Sequence, residues 1–164
     1  MTFRKSLAIL AVAVACALGA AVAQTSPHPH VMQSVAEAKW GPAPPMLPPG
    51  AEIAVLSGNP MASDSYSVRL KFPAGYNIPA HSHPTDENVA VVSGAVYMGM
   101  GDKLDRQAGK AVGPGGYFIA PAGVNHYAYT KDPTTIILYG IGPVEFKYVN
   151  PADDPRNGKK MASK

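Results

Sequence analysis

At 164 residues, with 46% hydrophobic residues and a formal charge of +3, the chain fits one ordinary domain, and it is too apolar to be intrinsically disordered. Charged residues make up only 15% of it, while glycine and proline occupy 16 and 17 positions. Short apolar runs punctuated in this way suit an all-β sandwich or barrel.

Residues 1–23 read as a secretory signal peptide. Arg4 and Lys5 give a positive start, residues 7–15 are a compact apolar stretch too short for a membrane span, and Ala21-Val22-Ala23 offers small residues for cleavage. Cleavage after Ala23 leaves a periplasmic or secreted protein starting at Gln24. A rival reading makes Cys16 the acylated residue of a lipoprotein, but residues 17–23 stay apolar where a lipoprotein tether is polar, so lipidation comes second. Losing Arg4 and Lys5 lowers the formal charge to +1, so the whole-chain pI of about 9.0 says little about the mature protein, and nucleic acid is not expected as a partner. The mature chain has no cysteine, which fits an oxidising compartment.

Residues 24–50 form a Pro-rich lead-in, in which Pro42, Pro44, Pro45, Pro48 and Pro49 favour an extended strap over a regular element. Within it, residues 35–40 are expected to make a helical turn or an edge strand, with Trp40 plugging one end of the barrel. The barrel itself is expected over residues 51–150. Residues 52–56 and 66–72 alternate as strands, the second with Arg69 and Lys71 on one face. Further strands are expected at 88–93, 95–100, 117–120, 125–130, 135–141 and 146–149, with a polar loop at 102–109. The tail, 151–164, is polar and expected to be loose.

The residues able to do chemistry are concentrated. His81 and His83 are two apart, so on a strand both leave the same face, and Glu87 follows after a short turn. Two imidazoles and a carboxylate converging on one point can hold a first-row divalent ion, and His126 on a separate strand can supply a third imidazole. Because His126 must face such an ion, alternation turns Val124 and Ala128 inward with it and Tyr127 and Tyr129 outward. Val89 and Val91 line the cavity beside Glu87 by the same logic. Asp86 points the other way from Glu87. His28 and His30 lie in a Pro-rich arm that cannot preorganise a site.

Taken together, these residues resemble the cupin superfamily. The stretch Gly75-x5-His81-x-His83-x3-Glu87-x6-Gly94 matches the first cupin motif at each fixed position. Gly115, Pro121, Gly123 and His126 meet the second, whose final asparagine is replaced by Thr130. Gly75, Gly94 and Gly123 fall where tight turns call for positive φ or close approach. The resemblance implies a double-stranded β-helix (jelly-roll) barrel holding one divalent transition metal (Mn, Fe, Co, Ni or Zn) between its sheets through His81, His83, Glu87 and His126. It further implies a small metalloenzyme acting on a small oxygenated organic molecule, dioxygenase-like or of related lyase or isomerase chemistry, with Glu87 able to move a proton. The alternative is a non-catalytic metallocupin that binds a small ligand or senses metal. A homodimer is expected on the same resemblance, with the lead-in exchanged between subunits.

Overall fold

The computed structural model describes residues 31–158. The expected signal peptide, Cys16, the cleavage point after Ala23, His28, His30 and the last six residues lie outside the described residues. Among the described residues, no helix is long and apolar enough to cross a membrane.

The described chain is a sandwich of two antiparallel sheets. In chain order the strands are β1 (Gly41–Pro42), β2 (Glu52–Ser57), β3 (Ser65–Phe72), β4 (Asn77–Ser82), β5 (Glu87–Ser93) and β6 (Val96–Met100), then β7 (Lys110–Val112), β8 (Tyr117–Ala120), β9 (His126–Thr130), β10 (Thr134–Ile141) and β11 (Lys147–Tyr148). One sheet has the order β1-β2-β3-β10-β5-β8 and the other β11-β4-β9-β6-β7. After β3, every strand except β7 lies in the sheet opposite its predecessor, as in a jelly-roll barrel.

Period-two burial explains the layering. On β3, Tyr66, Val68, Leu70 and Phe72 are buried while Ser67, Arg69 and Lys71 face outward, and Ile136 and Leu138 on β10 continue the same inner face. With Val89, Val91, Val96 and Ile78 these side chains form the core between the sheets. A second cluster lies on the outer face of the five-stranded sheet, where Tyr127 and Tyr129 are each 1% exposed and pack with Ala80, Tyr97 and Leu104. The polar loop covers it: the Tyr129 hydroxyl donates to the Arg106 carbonyl at 2.6 Å. The outward tyrosines of β9 are therefore core residues of a covered second layer. Gly99 makes that layer possible, since a Cβ there would sit 2.2 Å from the Tyr127 ring.

Three strands were not read from the sequence. β1 and β7 are only two and three residues long, and β4 contains Pro79, which removes a ladder donor. The β4–β9 register shifts between Ile78 and His81, which absorbs that loss. Two expectations need correcting. Trp40 does not plug the barrel; it lies over the Lys71 ammonium, 3.7 Å from the ring centroid, on the outer face. The tail is not loose over residues 151–158. Arg156 pairs with Asp154 at 2.7 Å and donates to the Phe146 carbonyl at 2.8 Å, and two short helical turns (Pro151–Asp153 and Pro155–Gly158) follow β11.

Candidate metal centre

The site grows out of β4 and β9. His81, near the end of β4, pairs directly with His126 at the start of β9, so two imidazoles from different strands meet on the inner face. His83 follows just beyond β4. The ring centroids lie 4.4 Å apart for His81 and His126, 4.8 Å for His81 and His83, and 5.1 Å for His83 and His126. One ring nitrogen from each falls within 4.8 Å of the others, an arrangement that could hold a metal ion.

Their tautomers are set by the main chain. Nδ1 of His81 lies 2.7 Å from the Pro79 carbonyl oxygen, Nδ1 of His83 2.8 Å from that of Glu145, and Nδ1 of His126 3.0 Å from that of Val124. A carbonyl can only accept, so each ring donates from Nδ1 and its Nε2 carries the lone pair. Backbone carbonyls in this role are what metal-binding histidines ordinarily use to fix ring orientation.

Burial keeps these rings neutral. All three are at most 5% exposed, and loss of solvation lowers each pKa below the usual imidazole value. For His81, burial and the like charges that His126 and His83 would carry bring it down to about 2. The Glu87 carboxyl moves the other way: burial raises its pKa to about 7, only partly opposed by His126. Glu87 Oε2 lies 3.5 Å from Nε2 of His83. That contact is no ion pair, because the imidazole is neutral. It places two acceptors face to face, and Nε2 of His83 has no hydrogen-bond partner. Among the described residues only Nε and Nη1 of Arg69, on the outer face, share that condition. Either a proton on Glu87 or a cation between the groups relieves the opposition. The three imidazoles could therefore hold a metal ion, while Glu87 lies beside His83 but outside the group of ligand atoms within 4.8 Å of one another.

Neighbouring contacts hold the cluster in place. The Gly123 amide donates to the His83 carbonyl at 2.8 Å, and Asp86 Oδ1 accepts from the Ala122 amide at 2.8 Å, so the two motif segments are tied to each other. Thr130, standing where the motif has asparagine, is 2% exposed and donates to the Pro73 carbonyl while accepting from the Tyr76 amide. Phe146 stacks on His81 at 4.5 Å and meets His83 edge-on at 4.5 Å. Tyr66 lies in a cross-strand row with Gly140 and Glu87.

Among the residues expected to line the pocket, Val89 and Ala128 do line a cavity of about 40 Å³ beside His81, His126 and Glu87. Val91 is buried in the core further along β5, away from that wall. Val124 does not face inward and is 38% exposed. It belongs to the turn before β9, where strand alternation has not begun, and serves the site through its carbonyl. Phe146 and Tyr66 escaped the sequence reading. Alternation against Arg69 and Lys71 does turn Tyr66 inward, whereas nothing local announces that Phe146 will lie against two histidines.

Two antiparallel sheets crossing as a jelly roll, with a histidine cluster buried between them, define a cupin. Within that class the chain belongs to the family of ChrR cupin-like domains, whose sequence profile matches residues 27–145. No curated protein matches the sequence. Among solved structures it is similar to a putative acetylacetone dioxygenase from Methylibium petroleiphilum, with a TM-score of 0.61 and 16% identity over 85% of this chain and 99% of that one. It is similar also to an acetylacetone dioxygenase from Acinetobacter johnsonii, with a TM-score of 0.60 and 14% identity over 86% and 96% of the two chains. A polyketide cyclase from Streptomyces resistomycificus aligns with a TM-score of 0.54 and 18% identity over 68% and 79%.

The raised pKa of Glu87 sets an expected pH dependence. Its proton must leave before the carboxylate can ligate, whereas the histidines are already neutral. Zinc affinity of the metal-free protein should therefore climb from pH 6 to pH 8, approaching tenfold per unit below about pH 7. Chelator competition across that range measures it, with Glu87→Gln expected to bind more weakly and to flatten the profile. A parent profile already flat would remove Glu87 from the ligand set.

Proposed function

We propose that the protein is an exported metalloenzyme that binds one divalent transition ion through His81, His83, His126 and Glu87 and transforms a small oxygenated organic molecule. The observation that carries this reading is the trio of buried, neutral imidazoles with ring nitrogens within 4.8 Å of one another, and Glu87 Oε2 3.5 Å from Nε2 of His83. When bound, the ion supplies a Lewis-acid site for oxygen atoms of substrate or of O2. The chain's own residues do the rest. Phe146, Leu70, Val89 and Leu138 exclude water from the adjoining cavity, and Glu87 holds or releases a proton at Oε2 near neutral pH. The likeness to acetylacetone dioxygenases supports testing small 1,3-dicarbonyl compounds first.

One observation favours a second reading, a non-catalytic metallocupin that binds a small ligand or metal. Among the described residues lining the 40 Å³ cavity, His81, His126 and Glu87 are the only ionisable groups, which leaves little further acid–base chemistry. Export rests on the sequence of residues 1–23. Homodimerisation rests on the family resemblance and on Val92, Tyr117, Ile119, Tyr139 and Ile141, apolar or aromatic side chains exposed on the outer face of the six-stranded sheet. Exchange of the lead-in is less well supported from Gly41 onward, because β1 pairs with β2 of its own chain.

Elemental mass spectrometry of the purified protein should find near-stoichiometric metal, absent from a His81→Ala, His126→Ala double variant. Oxygen uptake by the metal-loaded protein with acetylacetone decides between the two readings: turnover supports the enzyme, and tight binding without turnover supports the binding module. A parent that holds none of Mn, Fe, Co, Ni or Zn when offered each would end both. On the same preparation, sedimentation at micromolar concentration should give a dimer and intact mass a chain beginning at Gln24. A monomer, or an uncut chain recovered from the native host, would contradict those two points.

A further inference from the structure

A second cavity, of about 80 Å³, lies next to the metal centre. The two share five lining residues, Leu47, Leu70, Glu87, Leu138 and Phe146, and so adjoin each other. The outer walls of the second chamber come from three separate segments. Pro44 and Met46 belong to the lead-in, Pro60 and Met61 to the β2–β3 connection, and Val144 to the approach to β11, with Val68 of β3 as the floor. Apart from Glu87 and the Tyr66 phenol, every lining residue is apolar.

This chamber is built into the fold. The Tyr148 hydroxyl, itself buried, donates to the Met46 carbonyl at 2.7 Å, and the Val144 amide donates to the Pro60 carbonyl at 2.7 Å. The Leu47 amide closes the lead-in turn on the Pro44 carbonyl at 3.0 Å. These three walls are thus fixed by hydrogen bonds to main-chain carbonyls, two of them from another segment. Met61 is the exception in exposure: at 56% it stands at the mouth, where an unbranched thioether can move aside.

We propose that this chamber is a subsite for a short apolar substituent, so that the protein's ligand is an amphiphile with its oxygen atoms at the histidine cluster and a small alkyl group between Met61, Val68 and Val144. The polar half of that statement rests on the metal-centre reading above; the apolar half rests on the chamber alone. Size limits the substituent. A dry apolar cavity of about 150 Å³ admits benzene or xenon, so a chamber of about 80 Å³ suits xenon or a three- or four-carbon alkyl group. A straight chain gains roughly fourfold in affinity for each methylene it buries, until the chamber is full. The lead-in thereby becomes part of the ligand site, which gives the Pro-rich strap a role the metal ligands alone do not require.

Two measurements test the parts separately. Methyl-labelled, metal-free protein exposed to xenon should show shifts at methyls lining the chamber, Met46, Met61, Val68 and Val144 among them, lost in both Met61→Trp and Val144→Phe. These positions are exposed and half-buried, so added bulk fills the chamber without disrupting the core, and circular dichroism checks the fold. Zinc-loaded protein titrated with 1,3-diketones lengthened at one end should bind about fourfold tighter per methylene for two or three steps and then level off. Both variants should flatten that series, so that the longer diketones bind no more tightly than acetylacetone itself. Xenon shifts absent from the chamber, or a series independent of chain length while zinc and acetylacetone still bind, would overturn the proposal. If neither zinc nor acetylacetone binds, the metal reading falls and the xenon result alone decides the chamber.

Discussion

Pro79, Glu145 and Val124 each offer a carbonyl oxygen to the Nδ1–H of a buried histidine, and the rest of the centre depends on that constraint. An imidazole free to exchange tautomers would present a donor to the cavity about as readily as an acceptor. Held this way, His81, His83 and His126 present three lone pairs. Burial then makes protonation costly, so the rings cannot escape the arrangement by charging. What remains is a set of acceptors buried close together, with Glu87 Oε2 3.5 Å from Nε2 of His83. Such a cluster is poorly satisfied by itself and well satisfied by a cation.

The barrel serves this constraint at several distances. Two of the three carbonyls lie two residues before the histidine they fix, so they come with the local backbone. The bulge around Pro79 and the turn ending at Val124 are how β4 and β9 supply them. The third lies sixty-two residues away, on the segment leading to β11, and brings Phe146 against His81 and His83 with it. That segment is held from outside by Arg156 and, through Val144, by the β2–β3 connection. Parts of the chain that look peripheral, the β2–β3 connection and the start of the tail, therefore bear on the position of the His83 ring. The β2–β3 connection and the approach to β11 also wall the apolar chamber, so the histidine cluster and the chamber share supports.

Much of the centre was legible because its signals are local. His81-x-His83 places two rings on one face by the period of a strand, and the glycines that the motif fixes adopt the expected positive φ at 73°, 71° and 71° for Gly75, Gly94 and Gly123. Alternation also put Tyr127 and Tyr129 on the outer face and Val89 on the inner one. Where reading by period failed, a break in the period was responsible. Val124 sits in a turn, so extending the β9 pattern back to it reversed its direction. β4 was hidden by Pro79, which argues against a strand in any local scan. Tertiary contacts supplied the remainder. Neither the pairing of Arg156 with the Phe146 carbonyl, nor the stacking of Phe146 on His81, nor the meeting of Pro44, Pro60 and Val144 around one chamber has a signature within a window of ten residues.

Nitrogen-15 chemical shifts of the histidine rings test the central claim most directly, recorded on metal-free protein at neutral pH and again during titration with zinc. The account predicts that His81, His83 and His126 are neutral Nδ1–H tautomers before metal is added, and that zinc moves their Nε2 resonances together at one equivalent. Protonated rings, Nε2–H tautomers, or Nε2 resonances indifferent to zinc would contradict it.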